Sequence, residues 1–114
     1  MSRSTKVHTG LAVMIALATL FLLRVINAAL AADGAAEGHR LAEAWCKACH
    51  AVEPNMPSMS NQAPGFAAIA NRHGTTELSL KVFLKTSHRN MPNLVISPDQ
   101  ADALADYILS LKSY

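Results

Sequence analysis

The chain has 114 residues, room for one domain at most. With 51% hydrophobic and 16% charged residues it has the composition of a chain that folds, which excludes intrinsic disorder. The net charge of +2 is unevenly placed and is no sign of nucleic-acid binding.

Met1 to Thr9 carries Arg3 and Lys6 and no acid. Leu11 to Leu23, LAVMIALATLFLL, is an unbroken apolar run, and small residues follow in Asn27-Ala28-Ala29-Leu30-Ala31-Ala32. That order is the order of a secretory signal peptide. Ala29-Leu30-Ala31 reads as the recognition triplet, with cleavage after Ala31. The expected organisation is a signal peptide over 1–31 and a single domain over 32–114. A spanning helix needs roughly 20 apolar residues, and Arg24 ends the run before that. Retention of the segment as a membrane anchor is the alternative. Without Arg3, Lys6 and Arg24 the charge balance turns negative, and no basic run interleaved with aromatics remains.

A domain this short struggles to bury enough apolar surface alone. Its two cysteines, Cys46 and Cys49, are too close for a disulfide to add much chain-entropy stabilisation. The core needs another filler.

No strand-like alternation occurs in 32–114, and the segment reads as all-α, with three to five helices. Ala35 to Ala48 is helix-compatible throughout, apart from Gly38. Glu53 to Gly65, with Pro54, Pro57 and Pro64, is a loop. Phe66 to Arg72 is a short apolar segment, with His73-Gly74 as its stop. Glu77 to Thr86 places Leu80, Phe83 and Leu84 on one helical face. Ser87 to Ser97 is a second loop. Ser97-Pro98-Asp99-Gln100 is a capping box that opens a helix with the stripe Ala101, Leu104, Ala105, Ile108 and Leu111.

Cys46-Lys47-Ala48-Cys49-His50 is C-x-x-C-H, the attachment signature of c-type haem. Two thiols about one helical turn apart can each add to one vinyl group on the same haem edge. The next residue then lies under the ring, with its imidazole in reach of the iron. A thioredoxin-like pair would need a βαβ setting, and a zinc site two further ligands at short spacing; neither occurs. A plain disulfide would leave His50 unexplained. The expected cofactor is one haem c, covalent through Cys46 and Cys49, with His50 on the iron.

Methionine opposite histidine is the ligand pair of electron-transfer cytochromes. Met56 and Met59 follow His50 too closely to pass round the ring edge, so their expected role is packing. Met91 lies beyond two helices in a loop stiffened by Pro92, and is the expected sixth ligand. His88 is the alternative, giving bis-histidine ligation and a lower potential. His39 and His73 are expected to face solvent.

These residues resemble the class I c-type cytochromes, above all the short bacterial periplasmic members, across residues 34–112. In that family a glycine eight residues before the first cysteine lies where the N- and C-terminal helices cross, and Gly38 holds that place. An aromatic on the C-terminal helix packs there; Tyr107 matches it. The resemblance implies that the Pro64 carbonyl accepts a hydrogen bond from Nδ1–H of His50, and that Met91-Pro92 supplies the sixth ligand. Two positions depart from the pattern. The usual aromatic four residues after the glycine is Ala42, for which Trp45 is a substitute, and the glycine before the loop proline is Ala63. Asn71 or Arg72 are candidates for holding a haem propionate.

The expected function is electron transfer, not catalysis, by a periplasmic monomer. It would meet redox proteins transiently at the haem edge. Lys47, Arg72, Lys81, Lys85 and Arg89 form a docking rim or an ordinary solvated surface. The alternatives are a dedicated subunit of a periplasmic dehydrogenase or oxidase, and a haem enzyme or gas sensor with an open sixth position.

Overall fold

Good helix formers without proline wind the chain into α1 over Arg3–Trp45 in the computed structural model, which describes residues 3–57, 63–86 and 91–113, with side chains from residue 8 onward. Three shorter helices follow: α2 over Phe66–Ala70, α3 over Glu77–Leu84 and α4 over Pro98–Ser110. No strand occurs among the described residues. The chain divides into two units, Met1–Ala31 and Ala32–Tyr114.

The first unit is helical from Arg3 and exposes its apolar side chains on every side, Leu11, Leu17, Phe21 and Leu30 among them. In length and composition this part of α1 suffices to cross a membrane, as a signal sequence near an N-terminus also does.

In the second unit the core gathers Leu41 and Ala42 of α1, Val52, Phe66 and Ala70, Leu80 of α3, and Leu104, Tyr107 and Ile108 of α4. α4 begins as its capping box requires. Ser97 Oγ accepts from Gln100 N at 3.2 Å and Gln100 Oε1 accepts from Ser97 N at 2.8 Å. The expected stripe is the buried face: Ala101, Leu104, Ala105 and Ile108 are buried and Leu111 packs against them.

Three element ends differ from the expected ones. α1 stops at Trp45 rather than Ala48, because the Ala42 carbonyl accepts from both Cys46 N (2.9 Å) and Lys47 N (3.0 Å), which widens the last turn. α2 is shorter than Phe66–Arg72: the chain turns after Ala70 and reaches Gly74 at φ +83, a left-handed conformation that suits glycine. α3 ends at Leu84. Its start carries a cap that the amphipathic pattern does not reveal, a reciprocal pair between Thr76 and Ser79. Phe83, expected on the inner face with Leu80, is 54% exposed.

α1 and α4 meet at Gly38, which faces the Ala103 backbone and the Tyr107 side chain. A β-carbon there would lie 1.9 Å from Ala103 O and 2.8 Å from Tyr107 Cβ, so only glycine fits. Tyr107 continues the contact. Its hydroxyl donates to Val52 O at 2.8 Å in a buried bond that ties α4 to the segment after the haem motif.

Burial, with the negative charge of Glu53 nearby, pushes the Tyr107 phenol from 10.0 up to about 12. The fold therefore favours the protonated form. Its contribution is complete below pH 10 and is lost as the pH rises through about 12. Tyr107→Phe should cost about 1–3 kcal/mol at neutral pH, since Val52 O loses a buried donor. It should also flatten the loss of stability above pH 10. Denaturant unfolding of both proteins across that range checks this, and equal alkaline slopes would refute it.

Lys81 Nζ lies 2.9 Å from Glu77 Oε1 on its own helix and 2.7 Å from Asp102 Oδ1 on α4, linking the two. Asn71 closes the end of the chain: its Oδ1 accepts from Ser113 N and Ser113 Oγ, both at 3.0 Å.

Candidate functional site

The motif Cys46–His50 leaves α1 in a turn wound about one carbonyl. Cys46 O accepts from Cys49 N at 3.1 Å and from His50 N at 2.9 Å. That brings both cysteines and the histidine within a single turn. Cys46 is buried and Cys49 exposed, and both are free thiols. Burial, with the Cys49 thiol beside it, pushes Cys46 up to about 11, so it remains a thiol at neutral pH.

His50 Nδ1–H donates to Pro64 O at 2.8 Å. A histidine held this way has a fixed tautomer, and its other nitrogen, Nε2, presents a lone pair to a metal. Ala63 in place of the usual glycine does not prevent the bond. Gly65, on the other side of Pro64, is the close-packed position, where a β-carbon would meet Ala51 Cβ at 3.3 Å. Phe66 N bonds to Ala51 O at 2.8 Å, holding the start of α2 against the residue after His50. The Phe66 ring stands 5.5 Å from the His50 ring.

Met91 is half-buried and opens the segment 91–97, without regular secondary structure, that leads into α4. No described contact joins it to His50. Met56 packs against the core, as its spacing from His50 suggests. Met59, His88 and Arg89 lie outside the described residues. His73 is exposed.

Three expectations are corrected. His39 does not simply face solvent: its ring lies 4.9 Å from Tyr107 and its Nε2 pairs with Glu53 Oε1. Lying next to Gly38 at the helix crossing is the sequence signal that could have found it. Trp45 does not substitute for the missing aromatic, because it is 41% exposed while Ala42 is fully buried. His39 is the α1 ring that meets Tyr107. Asn71 is bound to the C-terminal segment through Ser113 and Leu111, which engages its amide elsewhere than at a propionate. Within the rim, Lys47 pairs with Glu43 and Lys81 with two carboxylates, whereas Arg72 and Lys85 are exposed.

These residues fit a covalently bound haem. Two thiols and an imidazole oriented through its far nitrogen share one turn. Large apolar side chains of the second unit, Phe83 at 54% and Val95 at 96%, are exposed in a domain with few to spare. A broad apolar plate is the kind of surface that covers such groups.

The site and the all-helical fold define a c-type cytochrome. Residues 33–108 match the family described as cytochrome c oxidase, cbb3-type, subunit III. The chain belongs to the class I c-type cytochromes and is a haem c electron carrier. It is 38% identical over 86 residues to cytochrome c-552 of Bradyrhizobium diazoefficiens, covering 75% of this chain and 82% of that protein. No solved structure matches it.

Proposed function

We propose that the chain carries single electrons between redox proteins outside the cytoplasm, using one haem c held by Cys46 and Cys49 with His50 and Met91 as axial ligands. The observation that carries this reading is the hydrogen bond from His50 Nδ1–H to Pro64 O at 2.8 Å. It gives the imidazole a fixed orientation and stronger donor character before a metal arrives. The haem, when bound, supplies one-electron ferric–ferrous chemistry. The protein's part is to keep both axial positions filled by its own residues and to exclude water, so that little rearranges when the charge changes. Leu80, Phe66 and the α4 stripe supply the apolar surroundings.

Segment 1–31 acts in this reading as the export signal, cleaved after Ala31, and the mature protein is a monomer that docks transiently at the haem edge. A second reading, a permanent subunit of an oxidase or dehydrogenase retaining 1–31 as an anchor, is favoured by the description of the matched family.

The test is to express the full chain with haem-maturation machinery and purify it. The ferric protein should show the weak Met-to-iron charge-transfer band and begin at Ala32. Met91→Ala should abolish the band, admit exogenous ligands such as azide, and lower the midpoint potential. A variant with an unchanged spectrum overturns methionine ligation at Met91 and directs attention to His88. A protein that begins at Met1 and extracts with an oxidase complex overturns the free-carrier reading.

A further inference from the structure

Apart from the haem-binding residues, one group of metal-ligating side chains converges among the described residues of the second unit. A ring nitrogen of His39 and carboxylate oxygens of Glu43 and Glu53 lie within 4.8 Å of one another. His39 and Glu43 are one helical turn apart on α1 and so share a face. Glu53 arrives from the segment after the haem motif, in a turn closed by Met56 N bonding to Glu53 O at 3.2 Å. The Tyr107 ring, 4.9 Å from His39, holds the imidazole from one side, and the contact with Glu53 holds it from another. His39 and Glu53 are half-buried, while Glu43 is exposed and free to adjust.

We propose that His39, Glu43 and Glu53 bind a divalent transition-metal cation of the Zn²⁺ class. One imidazole nitrogen and two carboxylate oxygens are the protein ligands, and water takes the fourth position. The donor set is the argument for this class. Zinc accepts mixed nitrogen and oxygen ligands at about 2.0–2.2 Å, and three protein ligands with one water is a recurrent arrangement. Mg²⁺ and Ca²⁺ prefer all-oxygen shells, so the imidazole nitrogen of His39 favours zinc over them.

The positions already converge, so binding needs only Glu43 to swing inward. Its present partner, Lys47 Nζ at 3.2 Å, belongs to an exposed pair one turn apart on the same helix, and such pairs resist little. An imidazole nitrogen and carboxylate oxygens hold a metal only when they carry no proton. Acid therefore competes with the metal. The bound cation clamps α1 to the segment after His50, so it stabilises the folded state by mass action.

The test uses the full, haem-loaded chain and ZnCl₂. Calorimetric titration should show one saturable site, and saturating Zn²⁺ should raise the melting temperature, while the same concentration of MgCl₂ should not. His39→Ala and Glu43→Gln should each weaken Zn²⁺ binding at least tenfold and leave the haem spectrum unchanged. Glu43 is exposed, so its variant decides the matter if His39→Ala folds poorly. Absence of saturable binding, or binding that Glu43→Gln leaves intact, overturns the proposal.

Discussion

Gly38→Ala should destabilise the haem-loaded protein by about 3 kcal/mol or more, the upper end of what overpacking costs. The added methyl would sit 1.9 Å from Ala103 O and 2.5 Å from Ala103 C. Both are backbone atoms of α4 and cannot rotate away, so α1 and α4 must move apart along their contact. That movement strains the Tyr107–Val52 hydrogen bond and the ring contact with His39. Alanine favours the helix by up to about 1 kcal/mol over glycine, which offsets only part of the loss. Gly34→Ala is the internal control. There the β-carbon meets Asp106 Oδ2 at 2.5 Å, the far end of a side chain that can turn aside. It should be neutral or slightly stabilising. Denaturant unfolding of the two variants separates the cases, and equal stabilities would remove the argument from close approach.

Replacing both thiols, Cys46→Ala with Cys49→Ala, should abolish covalent haem altogether. Denaturing gels stained for haem peroxidase activity should show no band, and acidified organic solvent should extract any haem that remains. Each single variant should keep one thioether. The double variant should also lose most of its fold. The second unit is small, its buried side chains are mostly alanine, valine and leucine, and Phe83 and Val95 are exposed. Such a domain depends on what it binds for stability. A double variant that retains haem through denaturation would refute attachment at these cysteines.

Much of this was legible from local patterns. The Ser97–Gln100 box and the stripe from Ala101 to Ile108 specify α4 completely, because capping and helical periodicity act within a few residues. C-x-x-C-H is legible for the same reason, since its chemistry needs a fixed short spacing. Features that depend on distant partners were less accessible. Thr76 with Ser79 is a reciprocal cap lacking the usual Glu or Gln, so its composition does not announce it. His39 looks like a surface histidine until α4 brings Tyr107 beside it and the post-motif turn brings Glu53. Ala42 suggested an aromatic replacement at Trp45, but Trp45 lies on the exposed side of the helix end. The Pro64 carbonyl was named only through family resemblance, because nothing in the spacing of Pro64 and His50 requires them to meet.

Tyr107 and Val52 are 55 residues apart, and Asn71 and Ser113 are 42 apart. The helix that holds the haem segment is thus synthesised well after that segment. Every molecule passes through an interval in which Cys46, Cys49 and His50 exist and α4 does not. During that interval neither thiol is enclosed by the finished core, so covalent attachment at the cysteines requires no packed structure to be undone.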